Sequence, residues 1–107
     1  MRISIWAASW VLAAGSMSMT QAAAPAPPSR LGLCAACHGT QGHARIPGVP
    51  DLAGQRLDYL RDALRQYRDG RRNVPVMRTA VGPLSETELD ALATWYSEQI
   101  PSARTRP

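Results

Sequence analysis

The run Cys34-Ala35-Ala36-Cys37-His38 constrains this chain more than any other feature in it. On a helix the two thiols stand one turn apart on one side, with an imidazole directly after the second. That is the pattern of covalent haem attachment. Two such thiols add to the two vinyl groups on one edge of the macrocycle, and the next residue sets an imidazole under the iron. Cys34 and Cys37 are thus the expected thioether positions and His38 the expected proximal iron ligand. Three other chemistries use paired cysteines. A thioredoxin-like redox pair needs a βαβ context, and no run here alternates like a strand. A structural zinc needs four ligands, and beyond Cys34, Cys37 and His38 only His43 is at hand. A disulfide across two intervening residues is geometrically awkward.

The first residues have the form of an export signal. Arg2 supplies one positive charge, an apolar stretch runs from Ile3 to Ala14, and no further charge occurs before Arg30. Small residues then lead to Ala22, with Thr20 and Ala22 set for a cut after residue 22. An uncleaved anchor is the rival reading, but Gly15, Ser16, Ser18, Thr20 and Gln21 end the apolar run short of the roughly 20 residues a membrane span requires. Residues 1–22 are therefore read as a signal peptide and the mature protein as exported, with no stable membrane insertion after cleavage.

What remains of the 107 residues is small for a self-sufficient core. Phe is absent, and the mature part keeps only Trp95, Tyr59, Tyr67 and Tyr96 as bulky aromatic groups. A covalently held macrocycle would fill the middle. Every basic residue is Arg, and without Arg2 eleven of them face eight acids, a formal +3. Two ionised haem propionates reduce this to about +1, so a nucleic-acid partner is not expected.

Pro25, Pro27 and Pro28 make residues 23–29 a stiff lead-in. Ser29 is placed to cap a short helix from Arg30 to Ala36. Residues 39–50, with Gly39, Gly42, Gly48, Pro47 and Pro50, read as an irregular loop. Leu57, Leu60, Leu64 and Tyr67 then mark one face of a helix. Asp58–Arg61, Asp62–Arg65 and Arg65–Asp69 are spaced to pair along it, and Gly70 stops it. Residues 71–83 read as a second irregular stretch. Ser85 and Glu88 form a capping box for a last helix, whose apolar stripe is Leu89, Leu92, Ala93 and Tyr96 and whose end is marked by Pro101. The domain is expected over residues 30–101, followed by a tail at 102–107. The class is all-α, with three to four short helices and two long loops. Loops of that length are unusual in a small domain unless they wrap something.

A second iron ligand follows by elimination once a haem is granted. Met1, Met17 and Met19 leave with the signal, Lys is absent, and His43 is tethered close behind His38. Met77 lies 39 residues past His38 beside Pro75 and is free to approach from the opposite face. The plain alternative is a core-filling methionine. A thioether ligand raises the reduction potential, and two protein ligands leave the iron no open position. Electron transfer then remains in place of catalysis.

These residues together resemble a known family. Cys34-Ala35-Ala36-Cys37-His38-Gly39, Pro50-Asp51-Leu52-Ala53-Gly54-Gln55, Tyr59-Leu60, Tyr67-Arg68-Asp69-Gly70-Arg71, the Pro75–Met77 pair and Leu84-Ser85 with Glu88 are similar to class I cytochromes c, above all the bacterial c4/c553 group. The resemblance covers residues 30–100. It implies a cytochrome c fold wrapped around one covalent haem c, and a periplasmic carrier passing electrons among dehydrogenases, oxidases or other cytochromes. It also implies that the Pro50 carbonyl accepts a hydrogen bond from the proximal imidazole, which orients the ring and tunes its basicity. Two departures stand out. The c4 proteins carry two such domains, whereas one haem motif here implies a monohaem relative. Pro27 and Pro28 also occupy the place where the family's first helix begins, which puts its contact with Trp95 or Tyr96 in question.

Charge is segregated. Residues 55–78 hold seven Arg and three Asp, and residues 85–98 hold Glu86, Glu88, Asp90 and Glu98 with no base. Either two helix faces meet, or a dipole orients the protein toward an acidic partner. Arg71, Arg72 and Arg78 are the expected partner contacts, and Arg45 an expected propionate contact. Three functions compete: a free electron carrier, a cytochrome subunit docked permanently to an exported dehydrogenase or oxidase, and an open-site haem peroxidase or gas sensor.

Overall fold

The spacing of Leu57, Leu60, Leu64 and Tyr67 folds as α2 (Leu57–Asp69), and the stripe from Leu89 to Tyr96 as α4 (Glu86–Ser97). Two shorter helices complete the set, α1 (Leu31–His38) and α3 (Pro75–Val81). The computed structural model describes residues 11–103, and no strand occurs among them. The start of the expected signal segment, residues 1–10, and tail residues 104–107 lie outside the described residues. Residues 11–28 carry no regular secondary structure, and no helix among the described residues is long and apolar enough to cross a membrane.

The core forms where α2 meets α4 and α3. Leu60 of α2, Val81 of α3 and Leu89, Leu92, Ala93 and Tyr96 of α4 are buried together with Leu31 and Leu84. Leu57, Leu64, Tyr67 and Met77 pack against this cluster while staying partly open. At α4 the expected capping box is complete: the Glu88 N–H donates to the Ser85 hydroxyl at 3.1 Å, and the Ser85 N–H donates to the Glu88 carboxylate at 2.9 Å. Gly70 closes α2 in the left-handed conformation at φ 85°, which suits a residue without Cβ.

Three local expectations are corrected. Ser29 caps nothing: α1 starts one residue later, behind Arg30, because the Pro28 carbonyl accepts the Leu31 N–H at 3.0 Å within a turn. The stretch expected to be irregular at 71–83 contains α3, for which Pro75 is suited, since the first helical position needs no N–H donor. The pairs expected along α2 do not form. Its arginines reach α4 instead, Arg61 to Asp90 at 3.0 Å, Arg65 to Glu86 at 3.2 Å, and Arg68 to Glu86. Arg30 adds a contact to Glu88 at 3.1 Å.

The basic and acidic segments are thus two helix faces in contact, and much of the α4 acidity is matched inside the fold. Arg68 first, then Arg65, holds the Glu86 carboxyl below its ordinary range. Solvent-exposed pairs contribute about 0.2–1 kcal/mol each, so the apolar stripes carry most of the packing. Ser85→Ala is expected to cost about 1 kcal/mol, read as a lower urea midpoint. Arg65→Ala is expected to cost less than that in the same titration.

Candidate functional site

Helix α1 carries three of the predicted site residues. Cys34 and Cys37 are partly buried free thiols one turn apart, and His38 is the buried last residue of the helix. Burial pushes the Cys34 thiol above its ordinary pKa. His38 Nδ1 lies 2.9 Å from the Pro50 carbonyl oxygen. A carbonyl only accepts, so Nδ1 carries the proton, and in the neutral ring Nε2 is left with its lone pair. No protein group bonds that nitrogen among the described residues. Cys34 and Met77 border the same apolar cluster, from α1 and from the first turn of α3.

Residues 39–54 bring Pro50 to the imidazole. Gly42 has φ 80°, and a Cβ there would lie 2.5 Å from the Ala53 nitrogen. Its carbonyl accepts the Leu52 and Ala53 N–H groups at 2.8 and 3.1 Å, pinching the loop shut. At the far end Ile46-Pro47-Gly48-Val49 forms a turn closed by Val49 N–H to Ile46 O at 3.2 Å. Pro47 at its second position and Gly48 at its third, with φ 83°, suit a type II turn.

The aromatic residues of α4 hold this loop from outside. Trp95 Nε1 donates to the Thr40 carbonyl at 2.7 Å, and the Tyr96 hydroxyl donates to the Gly39 carbonyl at 3.0 Å. Gly54 N–H donates to Tyr96 O at 2.9 Å, and His43 Nε2 donates to Ile100 O at 2.8 Å. Trp95 and Tyr96 thus bond the loop directly after α1, and Tyr96 also shares the buried cluster with Leu31 of α1. His43 is thereby turned to the chain end, and no group of three or more His, Cys, Asp or Glu side chains is set to hold a metal ion among the described residues.

Arg72, Tyr59 and Tyr67 combine in a way that no spacing along the chain signals. Arg72 lies over the rings of Tyr59 and Tyr67, 5.5 Å from each centroid, and donates from Nε to Gln66 at 2.9 Å. Its contact with the Tyr59 hydroxyl, at 3.5 Å, is too long to count for much, so the stacking over both rings holds it. Arg78 lies against Gly70. Arg45 is exposed beside a polar cavity of about 260 Å³ lined also by Cys37, Thr40, Gln41 and His43.

Residues 32–95 match the family described as cytochrome c oxidase, cbb3-type, subunit III. The chain belongs to the cytochrome c family. It is 41% identical over 102 residues to the thiosulfate dehydrogenase electron acceptor of Thiomonas intermedia, a match over 91% of this chain and 47% of that protein. It is 38% identical over 73 residues to cytochrome c-554(548) of Halomonas halodenitrificans, over 65% of this chain and 88% of that protein. With cytochrome c4 of Pseudomonas aeruginosa it shares 33% identity over 93 residues, covering 85% of this chain and 46% of the relative. The chain thus spans about half the length of the first and third of these relatives.

This chain is a class I c-type cytochrome close to the c4 group with one haem motif in the sequence, its all-helical fold is that of the family, and its cofactor is covalently bound haem c. The residues present fit the group: a turn-spaced pair of thiols, a buried imidazole with an unengaged nitrogen, and a thioether among partly open apolar side chains.

Tyr96 offers a direct check on the clasp. Burial raises its phenol pKa well above 10.0. The unfolded chain therefore ionises this tyrosine more readily, so its contribution to stability is complete below pH 10 and declines as pH rises beyond it. Tyr96→Phe is expected to cost about 1 kcal/mol at neutral pH and to flatten the alkaline decline. Urea titrations of both proteins across that range measure it.

Proposed function

We propose that this cytochrome is exported and carries single electrons between redox partner proteins, using a haem held by Cys34, Cys37, His38 and Met77. The observation that carries the reading is the His38 ring, buried with Nδ1 bonded to Pro50 and Nε2 unengaged. Haem c, when bound, supplies an iron that takes up and releases one electron. Cys34 and Cys37 would tether it through thioethers, and His38 would be one iron ligand, its ring oriented and its donor strength increased by the Pro50 carbonyl. Met77, carried on α3, would supply the second. Its sulfur would complete the ligand set, keep water off the iron and favour the reduced state.

Export and domain limits belong to the same proposal: a signal peptide at 1–22, a lead-in at 23–29, the haem domain at 30–101 and a tail at 102–107, with the mature protein in the periplasm. The short apolar run behind Arg2 supports this.

The partners are other redox proteins. One relative is named as an electron acceptor of thiosulfate dehydrogenase, and this supports a dehydrogenase as donor. The description of the matched family, an oxidase subunit, supports a second reading, a subunit docked permanently to a larger enzyme. Co-purification of a stoichiometric larger subunit from the native source distinguishes it from a free carrier.

Met77→Ala tests the ligand set. The oxidised parent is expected to show the weak sulfur-to-iron charge-transfer band of a low-spin haem, and the variant to lose it. The reduced variant is expected to bind carbon monoxide where the parent does not, and its potential to fall. A high-spin parent, or one that binds carbon monoxide readily, would overturn the carrier reading in favour of an open-site enzyme or sensor.

A further inference from the structure

The peptide carbonyl that meets His38 belongs to Pro50, and the residue bonded to it is braced on both sides. The Asp51 carboxylate accepts the Ala44 N–H at 2.8 Å, across the loop. The Asp51 carbonyl accepts the Gln55 side-chain amide, also at 2.8 Å. Both contacts lie in a partly buried setting. Pro50 has no N–H, so the Val49–Pro50 peptide just before it cannot donate a backbone hydrogen bond. Between the pinch at Gly42 and the turn at Ile46–Val49, Ala44 to Asp51 is the one cross-loop hydrogen bond among the described residues.

We propose that Asp51 is a positioning residue for the iron centre, acting through Pro50 on His38. The Ala44–Asp51 bond fixes the orientation of the Pro50–Asp51 peptide and so the strength of the His38 Nδ1–H contact. A firm contact makes the imidazole a stronger donor and favours oxidised iron. A loose one weakens the donor and raises the potential. Asp51 thus lowers the potential that Met77 raises. Gln55, four residues on and just before α2, backs Asp51.

Asn at position 51 keeps an oxygen that can accept the Ala44 N–H, whereas Ala keeps none. This separates geometry from charge, since both substitutions remove the carboxylate. The inference rests on His38 being the iron ligand.

The test uses the full haem-loaded protein, with Asp51→Ala and Asp51→Asn beside the parent. Exchange of the His38 ring N–H with solvent is followed by NMR, and the midpoint potential is measured in parallel. Asp51→Ala is expected to speed the exchange about twofold to twelvefold, the range for losing a bond of ordinary net strength, and to raise the potential. Asp51→Asn is expected to keep the parent's slow exchange. Unchanged exchange in Asp51→Ala overturns the proposal. So does exchange equally fast in both variants, and so does a raised potential in both with exchange unaltered, which is a charge effect alone.

Should Asp51→Ala not fold, the unaltered protein still decides: the Ala44 amide is expected to be protected from exchange, and an unprotected amide overturns the brace. Failure of the ligand assignment has a different signature. The His38 ring resonances would then show no shift from the oxidised iron, whatever Asp51 does.

Discussion

The hydrogen bond from His38 to the Pro50 carbonyl ties together parts of the chain that have no other strong reason to meet. Helix α1 is short and contributes only Leu31 to the buried apolar cluster. Its last residue is a buried imidazole, and burying such a ring is costly unless its N–H finds a partner. The loop behind it supplies that partner at 2.9 Å. The pinch at Gly42, the turn at Pro47-Gly48 and the Asp51 brace all serve to bring one carbonyl to one place. The order this imposes also leaves the other ring nitrogen unengaged, as an iron ligand requires.

Around that contact the helices divide the work. α2 and α4 make the protein-only core and are pinned by arginine–carboxylate pairs across their faces. α4 also reaches over the loop through Trp95 and Tyr96, so the helix farthest along the chain stabilises the segment nearest the cysteines. α3 carries Met77 to the edge of the same core. The pairing of Glu86, Glu88 and Asp90 with arginines has a consequence for recognition. The acidity of α4 is matched at short range, while Arg45 and Arg78 form no ion pair among the described residues. The basic segment is therefore left less basic than its residue count implies, since Arg61, Arg65 and Arg68 are matched by α4.

Much of this was legible in the residues. The thiol pair with its adjacent histidine was readable because covalent attachment demands a fixed local spacing. The capping box at Ser85 and Glu88, the Gly70 stop and the apolar stripes of α2 and α4 were readable because helix periodicity and end chemistry are local. Ser29 misled because a turn at Pro28 satisfied the helix start first. α3 was hidden because seven residues are too few for a periodic stripe, and Pro75 reads as a breaker until it is seen at a first helical position.

The sequence by itself determined the helical class, the cysteine–histidine motif and the family, since each depends on residues close together along the chain or on motifs in a set order. Only the tertiary structure decided which way long side chains reach. Arginines of α2 that could pair along their own helix pair with α4, because the apolar stripes press those two faces together. Asp51 looked like one more residue of a loop motif, and its carboxylate acquired a role only when folding brought Ala44 opposite it. Arg72 likewise joined Tyr59 and Tyr67 only after Gly70 turned the chain back toward α2. Contacts of this kind depend on how elements approach in space, and no spacing along the chain encodes that.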